Sequence, residues 1–145
     1  MILNSTIRQS ADEYGELYTS LRSRWNCRIA LMYITGLYID GNRVTRVRIN
    51  TDNHTSISQM VEGDFDVVNC VSAHNEQFSV FVNDVGFYSK MDLNLVASVL
   101  AGRYLVGPAV VTGASQSGEM ISVPACVIHK AVGIVDAMSL HKAFV

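Results

Sequence analysis

The chain has few of the residues that hold small secreted or metal-built domains together. Its 145 residues include three cysteines, Cys27, Cys70 and Cys126, an odd set with no CxxC spacing. An odd count would leave one thiol unpaired in an oxidising compartment, so the three read as reduced thiols in a cytoplasm. The four histidines, His54, His74, His129 and His141, form no HxH, HxxxH or HExxH pair. A zinc site is therefore not expected, and no other metal is. Neither a Walker A sequence nor a GxGxxG occurs, and no cofactor is expected. Charged residues make up only 17% and the net charge is −2. No global positive field draws the chain to nucleic acid or to an anionic membrane. No apolar run approaches the ~20 residues of a membrane span. The first residues, MILNSTIRQSADEYGE, lack the basic and apolar regions of a signal peptide.

What is present is a core. Apolar residues make up 49% of the chain, and a domain of this size buries about 68–70% of its unfolded surface. Residues 1–145 are expected to form a single domain, with an N-terminal helix over 11–25, a sheet core over 29–123 and a C-terminal helix over 124–142. Ser10-Ala-Asp-Glu13 is a capping box. Behind it Tyr14, Leu17, Tyr18, Leu21 and Trp25 share one helical face. Residues 29–39 and 43–49 read as strands around an Asp40-Gly41 hairpin. Val44, Val47 and Ile49 break strict alternation, which predicts a β-bulge near Thr45. Thr55 or Ser56 caps a short helix that Gly63 stops.

Strands follow over Phe65 to Val71 and Phe78 to Val82, and Phe87-Tyr88 reads as a short return. Asp92 reads as the N-cap of a helix with Leu93, Val96, Ala97 and Leu100 inward and Gly102 at its end. Tyr104 to Thr112 is the most apolar strand, and Pro108 argues that it is an edge or is bulged there. Glu119 to Val123 is a short strand, and Pro124 opens the last helix. Hairpin connections predict an α+β fold, with a mixed or mainly antiparallel sheet and helices packed mostly on one face.

Met60-Val61-Glu62-Gly63, then Phe81-Val82-Asn83-Asp84-Val85-Gly86, then Asn94 with Ala97, then Val106-Gly107-Pro108-Ala109-Val110-Val111-Thr112-Gly113 occur in that order. Together they resemble the v-N-x-x-G, N-x-x-A and vGpavvtG motifs of an uncharacterised family of small phage and mobile-element proteins. The likeness runs from about Gly36 to Val123. It implies action inside a bacterial host cell and carries no catalytic residues.

The residues that could carry chemistry are sparse. Cys126 and His129 lie at i, i+3 on one helix and could form a thiol–imidazole couple, although Cys126 stands among apolar neighbours. Thr112 to Gly118 is a glycine- and serine-rich loop that reads better as a hairpin than as an anion cradle. Arg43, Arg46 and Arg48 share one strand, with Arg46 and Arg48 on one face and Arg22, Arg24 and Arg28 just upstream. These six are over half of the 11 basic residues, so positive charge is concentrated here for an acidic partner or a small anionic ligand. The final helix carries apolar residues at 127, 128, 131, 132, 134, 135 and 138. That arc is wider than one packing surface needs, which predicts a homo-oligomer with Ile128, Val132 and Val135 in its interface.

The lack of a coherent catalytic set favours a binding protein over an enzyme. The expected partner is a host protein, such as a bacterial defence or regulatory complex that the chain would inhibit. A sequestering protein for a small nucleotide-like ligand and a small cysteine-dependent hydrolase are the alternatives.

Overall fold

The structure is a computed structural model that describes residues 33–53 and 55–144, with the side chains of 141–144 excepted. The helix expected over 11–25, Cys27, His54 and the upstream arginines lie outside the described residues. Among the described residues six strands and three helices follow in order: β1 (Tyr33–Asp40), β2 (Arg43–Asn50), α1 (Thr55–Val61), β3 (Phe65–Val71), β4 (Gln77–Asn83), α2 (Leu95–Ala101), β5 (Ala109–Ala114), β6 (Met120–Ile121) and α3 (Ala125–Phe144). The strands form one sheet in the order β2-β1-β5-β4-β3, with β6 also on β5. Every pairing is antiparallel. The fold is a single-domain α+β structure.

The sheet is apolar on both faces. On one, Leu37, Ile39, Val80, Val111 and Phe78 meet Val96, Ala97 and Leu100 of α2 and Val127 and Ala131 of α3. On the other, Val47, Ile49, Phe81 and Val110 meet Ile57 and Val61 of the short α1. Each fully buried side chain of this size contributes about 1.5–3 kcal/mol. This two-sided burial removes the expected bulge at Thr45. The β1–β2 register runs without interruption from Tyr33↔Asn50 to Asp40↔Arg43. Val44 packs toward α2 and α3, while Val47 and Ile49 pack toward α1. A strand buried on both sides does not alternate apolar with polar.

The hairpin loop is Gly41-Asn42, one residue later than the sequence suggests, because Asp40 already pairs with Arg43. Gly41 has φ +62 and Asn42 does not adopt positive φ, the pattern of a II′ turn. Open space surrounds Gly41, so only backbone strain opposes a side chain there. Gly41→Val is expected to cost about 1–2 kcal/mol in urea unfolding. A change below a few tenths would contradict the turn assignment.

Several boundaries move for tertiary reasons. Asn53 Oδ1 accepts from Thr55 N at 2.9 Å, so the oxygen that caps α1 comes from Asn53 and not from Thr55 or Ser56. The cap of α2 is Asn94, not Asp92. Leu93 is exposed rather than inward. The fifth strand begins only at Ala109, and Pro108 precedes it. It lies at the centre of the sheet between β1 and β4, not at an edge. Phe87-Tyr88 forms no strand and belongs to a turn. At the far end β1 leaves β5, and Val123 N donates to Thr35 O at 2.9 Å while Thr35 N donates to Ser122 Oγ at 3.0 Å.

Candidate functional site

Two buried asparagines organise one end of the sheet. Asn83, the last residue of β4, donates from Nδ2 to Val61 O at 3.0 Å and Glu62 O at 3.2 Å, which ties down the end of α1. Its Oδ1 accepts from Val85 N at 2.9 Å. Asn94 accepts from Ala97 N at 3.0 Å and donates to Ile39 O at 3.0 Å and Gly107 O at 2.9 Å. The motif glycines fit this framework. A Cβ on Gly86 would press on Met91 and Val106, and one on Gly107 on Met91. The recurring asparagines and glycines therefore serve architecture here.

What they hold out is an aromatic surface. The segment after Asn83 is a compact turn. Ser89 N donates to Val85 O at 2.8 Å, Met91 N to Gly86 O at 3.0 Å and Lys90 N to Phe87 O at 3.4 Å. A second turn follows Gly102, which ends α2 in the left-handed region and sends Arg103 and Tyr104 outward. The two turns bring Phe87 within 6.2 Å of Tyr104 and 6.4 Å of Tyr88, centroid to centroid, both edge-to-face. Phe87, Tyr88 and Tyr104 are 70%, 85% and 65% exposed, and Val85 in the first turn is 50% exposed. Three large rings clustered in solvent on hydrogen-bonded turns have the composition of an interaction hot spot. The sequence reading missed this site. Its only local signals are aromatics next to turn glycines, Gly86-Phe87-Tyr88 and Gly102-Arg103-Tyr104.

The residues singled out in the sequence are scattered. Arg43, Arg46 and Arg48 lie on the edge strand β2, with Arg43 exposed and the other two half-buried. Arg46 and Arg48 do share a face, and the Arg48 guanidinium lies 4.3 Å from the Tyr33 ring centre in a cation–π contact. Ile128 and Val135 pack against the chain's own core, while Val132 is exposed. Cys126 Sγ donates to Glu76 Oε2 at 3.4 Å, and His129 is exposed. A thiol beside a carboxylate is not in the electropositive setting of a reactive cysteine. Among the described residues no three His, Cys, Asp or Glu side chains are grouped to hold a metal. The loop after Thr112 is a hairpin whose Ser115, Gly118 and Glu119 amides all donate within it.

A cleft of about 350 Å3 between the β1–β2 hairpin and α1 contains Tyr38, Arg48, Gln59 and Glu62. Arg48 and Glu62 both line it, so charges of both signs face the cleft, and burial raises the Tyr38 pKa, with the Asp40 and Glu62 charges adding to the rise.

A family model described as a domain of unknown function, DUF3846, matches residues 34–133. The chain belongs to the DUF3846 family. The match takes in β1 from its second residue, the other five strands, α1, α2 and the first part of α3. Both asparagine anchors and all three rings of the aromatic cluster fall inside it. No curated protein and no solved structure matches the chain.

Proposed function

We propose that this DUF3846 protein works by binding a host protein through the surface formed by Phe87, Tyr88 and Tyr104. The observation that carries this reading is the exposure of Phe87 with the two tyrosine rings packed edge-to-face on it, on turns whose backbone is hydrogen-bonded in place. A rigid aromatic surface loses little conformational entropy on docking and buries a large apolar area. The motif resemblance supports a phage or mobile-element origin, with the chain blocking a bacterial defence or regulatory complex in the host cytoplasm. Arg43, Arg46 and Arg48 give a second, basic strip that suits an acidic rim on such a partner. A hydrolase role is opposed by the Cys126–Glu76 contact.

The test is comparative capture. Phe87→Ser with Tyr104→Ser should leave the melting temperature within a few degrees of the unsubstituted protein, because both rings already face water. The pair should also abolish capture of whatever bacterial protein the unsubstituted chain retains. Equal capture by both forms would overturn the assignment of this surface.

A further inference from the structure

The two faces of the sheet are covered unequally. α2 and α3 both lie on the face of Leu37 and Val80. Among the described residues α1 is the helix on the other face, against Val47, Ile49, Phe81 and Val110. Its seven residues make a helix of only about 10 Å. Side chains alternate along a strand, so Ser79 and Gln77 share the face of Phe81, and Thr112 and Ala114 that of Val110. Val67, Asn69 and Val71 stand across from Phe81, Ser79 and Gln77. One corner of the face is thus built beside α1, and a cleft of about 340 Å3 opens on it, lined by Asn69, Val71, Gln77, Ser79 and Ala114.

None of these corner residues is charged. Val67 and Val71 at its outer margin are 44% and 63% exposed, yet Thr112 and Ser79 at its centre are 0% and 6% exposed. Ser79 Oγ donates to Asn69 Oδ1 at 3.2 Å. Thr112 Oγ1 is buried with no hydrogen-bond partner. A floor buried this deeply needs a cover, and an orphaned hydroxyl needs one that carries polar atoms.

The chain before the sheet has the matching surface. Behind the capping box at Ser10 run Tyr14, Leu17, Tyr18, Leu21 and Trp25, an uncharged stripe with Asp12 and Glu16 on the opposite side of the helix. Its tyrosines combine an apolar body with a hydroxyl, which suits a floor of valines, alanine and small polar side chains. Fifteen helical residues span about 22 Å, enough to cross several strands set about 4.8 Å apart. The connection fits as well. Tyr33 opens β1 at the end of the sheet where Ala114, Gln77 and Val71 lie. The seven residues 26–32 reach up to about 23 Å from it.

We propose that residues 11–25 fold as a helix across this corner, with the stripe from Tyr14 to Trp25 turned onto Thr112, Ser79 and the cleft beside them. The surface at Phe87, Tyr88 and Tyr104 stays open, since Phe87 follows Asn83 at the opposite end of β4.

Trp25 is the only tryptophan of the chain and reports the contact. In the full-length protein its emission should be blue-shifted from that of the urea-unfolded chain and its acrylamide quenching several-fold weaker, equally at low and high micromolar concentration. Val67→Glu with Val71→Glu, both at exposed positions, should keep the far-ultraviolet circular dichroism and raise the quenching toward the unfolded value, because charge then lies under an apolar stripe. Val132→Glu on α3 should change nothing. Leu17→Glu with Leu21→Glu leaves the described sheet unaltered and should speed peroxide oxidation of Met120, which pairs with Ala114 at this corner, several-fold over that of Met138. Quenching as strong as in the unfolded chain, or Met120 oxidation that does not respond, would overturn the proposal. A response to Val132→Glu in place of the Val67 and Val71 pair would move the helix to α3, and shielding confined to high concentration would move it to a second copy; either result overturns the assignment.

Discussion

Asn94→Ala is expected to lower stability by about 3–5 kcal/mol. The side chain sits fully inside and makes three bonds to three different elements: Ala97 N in α2, Ile39 O in β1 and Gly107 O before β5. Loss of the helix cap alone costs about 1 kcal/mol. Two buried carbonyls losing their amide donor add about 1–3 kcal/mol each, reduced where water enters. Asn94→Asp separates the contributions. It keeps the acceptor for Ala97 N, removes both donors and sets a carboxylate oxygen against the carbonyls of Ile39 and Gly107. Urea unfolding should show Asn94→Asp at least as damaged as Asn94→Ala. An aspartate variant of near-native stability would mean that Asn94 serves only as a cap.

Gly113→Val should cost about 3 kcal/mol and loosen β6. Gly113 pairs with Ile121 where β6 crosses close to β5. A Cβ there would run into the carbonyl oxygen of Ser122 and touch Ile121 at 3.0 Å. A backbone carbonyl cannot turn away as a side chain can, so the segment leading to Val123 and α3 must shift. Gly36→Ala makes a milder contrast: its nearest obstruction is Cδ1 of Ile49, the far end of a flexible side chain, and the Val111 carbonyl oxygen stands at 3.0 Å, at the edge of tolerable contact. Hydrogen exchange at Met120 and Ile121 should accelerate in Gly113→Val and change little in Gly36→Ala. Equal protection in both would argue against close approach of β6.

Elements that rest on local chemistry were legible in the sequence. The β1–β2 hairpin, β3, the Gly102 stop of α2 and the start of α3 at Pro124 depend on turn residues, caps and short-range periodicity. The misplaced features depend on distant partners. Asp92 and Asn94 are both good capping residues two positions apart. What selects Asn94 is the pair of carbonyls at Ile39 and Gly107, which an acceptor-only aspartate could not satisfy. Pro108 suggested an edge because it cannot donate to a ladder, yet β5 is central and begins one residue later. The width of the apolar arc on α3 suggested a second covering surface. Within it Val127 and Ala131 are buried, Ile128, Ile134, Val135 and Met138 are half-buried against the same core, and Val132 is exposed. The aromatic cluster was hidden because Phe87 and Tyr104 meet only when the turns after β4 and α2 are placed side by side.

The most direct test of the binding surface is site-specific photo-crosslinking in bacterial lysate, with a photoreactive phenylalanine analogue placed singly at Tyr88, Arg43 and Val132. All three positions are exposed, so incorporation should not disturb the fold. Adducts to a discrete protein at position 88, and none at 132, are the expected result. Adducts at position 132 with none at 88 would contradict the account and return attention to α3.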